Sequence, residues 1–259
     1  MARLTLPALL RKSFPELDKD RASALISCRN VYVNGELCTD PRQTFPETST
    51  VEISYPKYVS RGGLKLEKAL EEFDFNAEGL VFLDAGSSTG GFTDCLLKHG
   101  ASFVHSVDVG YNLLDYSLRN DSRVAVHEKT NIMHVRDLDP VPDAAVADLS
   151  FRSISGAARK VLDLTKQKRM IALIKPQFEV SRGTEGFDGV IRDPDLLVST
   201  MKSVFRTLTE EGVGVFGICV SPIRGAKGNR EFLALLAPRS DGEMTEEQFL
   251  EPVEHCRFF

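Results

Sequence analysis

The sequence predicts an α/β fold: a Rossmann-like, doubly wound and mainly parallel sheet, preceded by a small α+β domain. From about residue 60, short apolar runs alternate with helical segments, which is the pattern of strands buried between two helix layers. The first 55 residues follow a different pattern, with two short helices and then alternating strands. The length of 259 residues suits one medium and one small domain.

The first segment, residues 1–55, is predicted to be a helix-helix-sheet unit. Leu6, Leu9 and Leu10 share one helical face, and a second face follows with Ala22, Leu25 and Ile26 behind the candidate caps Asp18 and Asp20. Val31 and Val33 then alternate ahead of Asn34-Gly35, a dipeptide typical of a tight hairpin turn, and Val51 and Ile53 alternate later. Residues 56–61, which include Pro56, are predicted to be an extended linker.

The second domain is predicted to span residues 62–259. A helix is expected over Leu64–Phe73 from the spacing of its apolar residues. Two others are expected over Thr93–Lys98 and Asp195–Glu211, which end at Gly100 and Gly212. The predicted strands are VFLDAG (81–86), FVHSVDVG (103–110), AAVADLS (144–150), MIALIKP (170–176), VGVFGICVS (213–221) and FLALLA (232–237).

Composition limits the function classes. No apolar run approaches the ~20 residues of a membrane helix, and the N-terminus lacks the apolar core of a secretory signal, so we expect a cytoplasmic protein with no membrane partner. The five cysteines lie far apart without a Cys-x-x-Cys pair, which suggests neither a disulfide framework nor a metal site. The net charge of −5 does not by itself indicate nucleic-acid binding.

A glycine-rich loop follows the first strand of the large domain. Glycines at such a turn let the backbone approach a ligand closely, at the carboxyl edge where these sheets bind ligands. A dinucleotide fingerprint would need a glycine where Ser88 stands, and Asp84 suits a sulfonium nucleoside better than a pyrophosphate. An ordinary glycine turn is the alternative. The predicted cofactor contacts here are Asp84, Gly86, Ser87, Ser88, Thr89, Gly90, Gly91 and Phe92.

Polar residues follow the next strands. Asp108 ends the second strand, where a carboxylate can accept hydrogen bonds from both ribose hydroxyls of a nucleoside, with Val109 beside it. Asn131 is placed to reach an adenine edge. Solvated loop residues are the alternative for each of these positions.

Two strand ends carry the predicted chemistry, and one of them, Asp148, is also a predicted cofactor contact. Asp148 opens Asp-Leu-Ser-Phe, which lacks the two prolines that base-amino methyltransferases usually carry there, and no Pro-Cys pair offers a thiolate nucleophile. An oxygen is therefore the more plausible target atom. Lys175 ends the apolar strand MIALI, where partial desolvation favours a neutral amine that can act as a base. Gly183, Gly186 and Gly189 in the following loop suggest a mobile lid or a static surface loop.

Together these motifs resemble the TlyA family, whose members are described both as hemolysin-like proteins and as ribosomal RNA cytidine-2′-O-methyltransferases. The likeness covers nearly the whole chain through VSRGGLKLEKAL, LDAGSSTGGFTD, DVGYNLLDYSLRND, ADLSF, KPQFE and GNREF. It implies an FtsJ-like class I methyltransferase domain that uses S-adenosylmethionine, without a metal. It further implies an αL-type RNA-binding domain in front, ribosomal RNA or ribosomal subunits as partners, and a monomer.

The resemblance also assigns roles to single residues. The family's Lys-Asp-Lys-Glu tetrad falls on Lys65, Asp148, Lys175 and Glu231. Lys175 would remove the proton of a ribose hydroxyl, Asp148 and Glu231 would orient the lysines, and Lys65 would stabilise the developing alkoxide. Which group takes the proton stays open, because coupled sites share their titrations.

The predicted RNA contacts are cations of the front segment and linker. Residues 1–52 carry seven Lys/Arg and seven Asp/Glu, so binding would need a clustered face. The candidates are Arg3, Arg11, Lys12, Arg21, Arg29, Lys57 and Arg61. Two rival functions are a membrane-active or other non-enzymatic hemolysin-like role, and an α/β enzyme with another nucleoside cofactor, such as a dehydrogenase.

Overall fold

The computed structural model describes residues 3–27, 30–150, 153–181, 183–184, 186–225 and 227–256. The chain divides into two compact units, Met1–Lys57 and Tyr58–Phe259, called here the amino-terminal and carboxy-terminal units. None of the helices in the described ranges is long and apolar enough to cross a membrane.

The amino-terminal unit packs two helices on short strands. Its elements are β1 (Arg3–Thr5), α1 (Leu6–Ser13), α2 (Lys19–Ser27), β2 (Val31–Val33), β3 (Glu36–Leu37), β4 (Thr44–Pro46) and β5 (Val51–Ile53). Both predicted apolar helix faces are buried in its core. Asn34 and Gly35 take positive φ values of 52° and 82° in the turn between β2 and β3, which confirms the predicted hairpin. The paired strands β1 and β4 were not predicted, because each pairs with a segment about 40 residues away in the chain.

The carboxy-terminal unit is built on a seven-stranded sheet. Its strands are β6 (Val81–Ala85), β7 (Phe103–Val107), β8 (Val124–His127), β9 (Ala144–Ala147), β10 (Met170–Ile174), β11 (Val213–Val220) and β12 (Phe232–Pro238). The order across the sheet is β11-β12-β10-β9-β6-β7-β8. Only β12 runs against its neighbours β10 and β11, so the predicted mainly parallel, doubly wound sheet is confirmed.

Helices cover both faces of this sheet. They are α3 (Gly62–Glu72), α4 (Gly91–Lys98), α5 (Tyr116–Arg119), α6 (Ala158–Asp163), α7 (Pro176–Glu179), α8 (Pro194–Glu210) and α9 (Glu246–His255), with a 3-10 turn at Ile132–His134. Two apolar clusters form the cores on either side. Helix α4 begins two residues earlier than predicted, because Gly90 at φ 92° turns the chain directly into it.

The strand order brings the ends of β6 and β9 side by side in the middle of the sheet. Asp84 is opposite Val146 and Ala85 is opposite Ala147, so the glycine loop after β6 lies against Asp148 after β9. The order in which successive strands are added reverses at β6, since β7 and β8 lie on one side of it and β9 and β10 on the other. This is the switch point at which open α/β sheets bind ligands.

Candidate active site

Two glycines of the loop lie so close to neighbouring atoms that a side chain would not fit. Gly86 has φ 87°, and a Cβ placed there would lie 2.5 Å from the carbonyl oxygen of Asp148. At Gly91 a Cβ would lie 2.2 Å from Oγ of Ser60. Any side chain at these positions would displace neighbouring atoms, so the loop sequence is set by steric space as well as by backbone conformation.

Asp84 lies beneath this loop, fully buried. Its Oδ2 accepts a hydrogen bond of 2.6 Å from Oγ1 of Thr93, which in turn is 2.7 Å from Oγ of Ser106, while its Oδ1 has no partner within the described part of the chain. Burial raises the pKa of Asp84 to about 7, although the Thr93 hydrogen bond acts to lower it. Asp84 thus ties β6 to α4 and β7, and it does not line either cavity described below.

One cavity, of about 600 Å³, gathers the four residues of the predicted tetrad. Nζ of Lys175 lies 2.5 Å from Oδ1 of Asp148, and Nζ of Lys65 lies 2.5 Å from Oε2 of Glu231. Lys65 and Lys175 are each 11% exposed, Glu231 is 4% exposed and Asp148 is 25% exposed. The Lys65–Glu231 pair is therefore largely withdrawn from water, whereas the Lys175–Asp148 pair is partly open to it. Residues 166 positions apart in the chain meet here because α3 and the start of β12 face the same strand ends.

Several contacts around the ion pairs were not predicted from the sequence. Lys175 donates a 3.0 Å hydrogen bond to Oγ of Ser150, and Nε2 of Gln177 lies 3.5 Å from Oε1 of Glu231. Ser150 and Gln177 belong to the motifs ADLSF and KPQFE, so their position beside a predicted catalytic residue was the available signal. Arg61 and Lys227 also line this cavity and bring two further cations to it.

Glu179 fixes the loop that follows Asp148. Its carboxylate accepts hydrogen bonds from Oγ of Ser153 and, at 2.8 Å, from the backbone amide of Ile154. Burial raises the pKa of Glu179, an effect that these hydrogen bonds oppose. Glu179 therefore connects α7, which follows Lys175, to the loop that follows Asp148.

A second cavity, of about 530 Å³, adjoins the first and shares Gly86, Ser88, Asp148 and Ser150 with it. Asp108 lies at its wall, where Oδ2 accepts from the amide of Ser88 at 2.8 Å and Oδ1 from the amide of Gly110 at 2.6 Å. A carboxylate has about four acceptor positions, so two remain for a ligand. The predicted neighbour Val109 also lines this cavity.

Asn131 lines the same cavity and has a structural task as well. Its Oδ1 accepts a 3.0 Å hydrogen bond from the amide of Met133 and so caps the 3-10 turn. The amide nitrogen Nδ2 is therefore the part of this side chain that is suited to an adenine edge.

The two cavities fit a sulfonium nucleoside. Each has the size of a small-molecule site, for which about 300–1,000 Å³ is usual. Carboxylate and amide groups suited to a nucleoside line one cavity, and the lysine pairs line the other, with the glycine loop at the junction. Among the described residues no group of His, Cys, Asp and Glu is arranged to hold a metal ion.

Some of the other predicted residues line the first cavity, and the rest do not. Ser87, Ser88, Thr89 and Phe92 line the first cavity, whereas Gly90 packs against Leu114 and Leu118. Arg3, Arg11, Lys12, Arg21 and Lys57 are exposed on the amino-terminal unit, and Arg29 lies outside the described residues. Gly189 of the predicted lid lines the first cavity, but mobility of that segment stays a prediction, and two of its residues, 182 and 185, lie outside the described ranges.

The sheet order and the paired cavities define the class as a Rossmann-type methyltransferase. Residues 58–237 match the family described as FtsJ-like methyltransferase, and the chain belongs to this family. Its methyl donor is S-adenosylmethionine, as the sequence predicted.

Relatives extend along nearly the whole chain. The chain is 41% identical over 221 residues to Hemolysin A of Brachyspira hyodysenteriae, which covers 83% of this chain and 92% of the relative. It is 38% identical over 232 residues to the 16S/23S rRNA (cytidine-2′-O)-methyltransferase TlyA of Mycobacterium tuberculosis. This match covers 86% of this chain and 85% of the relative. A solved structure from Streptococcus thermophilus, named as a candidate hemolysin, has 32% identity and a TM-score of 0.74. The match covers 100% of this chain and 98% of that one. The predicted resemblance to the TlyA family is confirmed.

Proposed function

We propose that the protein transfers a methyl group from S-adenosylmethionine to the ribose 2′-hydroxyl of a cytidine in 16S ribosomal RNA, 23S ribosomal RNA or both. The observation that carries the proposal is the presence of two ion pairs, Lys175–Asp148 and Lys65–Glu231, in a cavity that shares Gly86 with the nucleoside cavity. The activity for which the Mycobacterium tuberculosis relative is named supports the substrate and the target atom.

The chemistry requires positioning and removal of one proton. When bound, S-adenosylmethionine supplies an already activated methyl group, which the ribose oxygen takes as its own proton leaves. The neutral amine of Lys175 accepts that proton, and Asp148 at 2.5 Å then stabilises the ammonium that forms. The Lys65 ammonium, oriented by Glu231, stabilises negative charge that develops on the ribose oxygen.

Asp148 holds Lys175 and Glu231 holds Lys65, so each lysine is oriented by one carboxylate.

The amino-terminal unit is proposed to be an αL-type RNA-binding domain. Arg3 and Lys12 engage Thr44 and Glu47, which fixes where their side chains lie, and Arg11 and Arg21 are exposed on the two helices. Phosphate contacts from such cations would position RNA without reading its sequence.

The test is methylation of ribosomal RNA isolated from a strain that lacks the enzyme. Primer extension at limiting deoxynucleotide maps the modified ribose and shows which subunit RNA is the substrate. Lys175→Ala should bind S-adenosylmethionine and lose about 10²–10⁴-fold in methylation rate, as expected for removal of a general base. Lys166→Ala is the matched control, since Lys166 pairs with Asp143 ahead of β10, at the opposite edge of the sheet.

Full activity of Lys175→Ala would remove this residue from the mechanism. A modified base in place of a modified ribose, or no modification of either ribosomal RNA by the unaltered protein, would refute the proposed reaction.

A further inference from the structure

A third cavity, of about 230 Å³, lies beside the proposed active site and is rich in arginine. Arg192, Arg224 and Arg230 all line it, together with the first residues of α8. Asn229 lines both this cavity and the active-site cavity, so one residue forms part of the wall between them. None of the three arginines belongs to the proposed catalytic set.

Asn229 holds this wall in place. Its side chain is 4% exposed, accepts a 2.9 Å hydrogen bond from the amide of Ile191 and donates one of 2.9 Å to the carbonyl of Gly189. The segment that carries Arg192 is thereby tied to the loop that carries Arg224 and Arg230. That loop is closed by a hydrogen bond of 2.9 Å from the amide of Gly225 to the carbonyl of Asn229.

Three arginines and one carboxylate line the cavity among the described residues. The carboxylate is Asp193, whose Oδ1 already accepts the amide of Asp195 at the start of α8. Arg192 also meets Asp188 at 3.0 Å, but this pair is exposed, with 68% and 58% of the side chains accessible, and such pairs exchange readily with competing anions. Arg224 donates a 3.3 Å hydrogen bond to the carbonyl of Gly228.

Of the four cationic side chains that line the catalytic cavity among the described residues, two are already engaged by carboxylates. The ammonium groups of Lys65 and Lys175 are each neutralised by a carboxylate at 2.5 Å. Guanidinium groups match phosphate oxygens in two-point contacts, and contacts of this kind fix the register of a nucleic acid without reading its bases.

We propose that Arg192, Arg224 and Arg230 form a subsite for a backbone phosphate of the RNA strand next to the target ribose. The inference rests on the proposed function. Because Glu231 follows Arg230 directly, a phosphate held here fixes the strand relative to the Lys65–Glu231 pair. The subsite also supplies local positive charge that the overall net charge of −5 conceals.

The test compares the full-length protein with the double variant Arg224→Gln/Arg230→Gln on transcripts of ribosomal RNA and on a scrambled RNA of equal length. Binding is measured from about 0.05 to 0.5 M salt. Each lost phosphate contact lowers the slope of log affinity against log salt by about 0.7–0.9, so two lower it by about 1.4–1.8. At 0.1 M salt, this corresponds to about 25- to 60-fold weaker binding if the contacts contribute nothing at 1 M.

Arg123→Gln is the matched control. Arg123 pairs with Asp121 ahead of β8, at the amino edge of the sheet. The variant therefore removes one positive charge at the end of the sheet opposite to the cavity. This variant should keep the salt slope of the unaltered protein. Arg192→Gln is the second test variant, since its exposed side chain can be replaced without disturbing the core.

The outcomes separate the subsite from the proposed function. A reduced slope with equal loss on both RNAs, and with unchanged affinity for S-adenosylmethionine, supports a phosphate subsite. An unchanged slope in both test variants, while the unaltered protein methylates ribosomal RNA, overturns the subsite and leaves the function standing. A reduced slope without methylation of any ribosomal RNA by the unaltered protein overturns the function and leaves an RNA-binding subsite.

Discussion

Replacement of one partner in the Lys65–Glu231 pair should destabilise the fold far more than replacement of both. Lys65→Met leaves a carboxylate that is 4% exposed without its cation, and Glu231→Met leaves an ammonium that is 11% exposed without its anion. An uncompensated buried charge of this kind costs about 3–5 kcal/mol. For a protein of this size, with about 2–4 °C per kcal/mol, each single change lowers the Tm by roughly 6–20 °C.

The double variant Lys65→Met/Glu231→Met should recover most of this loss, because no charge remains buried and the apolar side chains fill similar volumes. Thermal and urea unfolding followed by circular dichroism measure the three free energies of unfolding on the full chain. The pair Arg239–Glu243, with 49% and 24% of the side chains accessible, is the control, and its disruption should change stability by at most about 1 kcal/mol.

Measurements of methylation distinguish the loss of catalysis from the loss of stability in these variants. All three Lys65 and Glu231 variants should lose methylation, including the double variant whose stability returns. This prediction would be refuted if each single variant lost less than about 1 kcal/mol in its free energy of unfolding. It would also be refuted if the loss in the double variant equalled the sum of the two single losses, because the buried charges would then not be coupled.

Three further changes test other parts of the site. Gly86→Ala should weaken S-adenosylmethionine binding roughly 5- to 150-fold in calorimetry, since strain of about 1–3 kcal/mol arises from φ 87° and from a Cβ 2.5 Å from a backbone oxygen. Asp84, with its pKa raised to about 7, binds a proton more tightly in the folded than in the unfolded protein. The free energy of unfolding should therefore fall as the pH rises from about 4 to 7, by at most ~1.4 kcal/mol per pH unit. Asp84→Asn should remove that slope in unfolding measurements. Glu179→Ala should lower the methylation rate about tenfold or more through loss of the hydrogen bonds that order the loop at Ser153, with partial rescue in Glu179→Gln; equal rates in both variants would contradict a positioning role.

Local sequence patterns were sufficient for most elements of the large sheet. Apolar runs such as MIALI are buried along their whole length, because a parallel strand covered on both faces has no polar side. The same reasoning placed Asp108, Asp148 and Lys175 at strand ends, since a polar residue that directly follows such a run must lie at the edge of the sheet. Short edge strands such as β1 and β4 escaped prediction because their hydrogen-bond partners are about 40 residues away.

Which residues meet across the chain depended on the tertiary structure. The sequence alone placed Asp84 at the ligand, yet the packing of α4 turns its carboxylate to Thr93 beneath the glycine loop. Lys65 and Glu231 were assigned by family resemblance, and only the packing of α3 near the start of β12 brings their charged groups to 2.5 Å.

By itself, the sequence determined the periodicity, the glycine turns and the strand-end chemistry, because each of these is a local property of a few neighbouring residues. The pairing of the lysines with their carboxylates, the junction of the two cavities at Gly86 and the arginine-lined cavity beside Asn229 were decided by the fold. They depend on strand order and helix packing, which set distances between residues far apart in the chain and cannot be read from local periodicity.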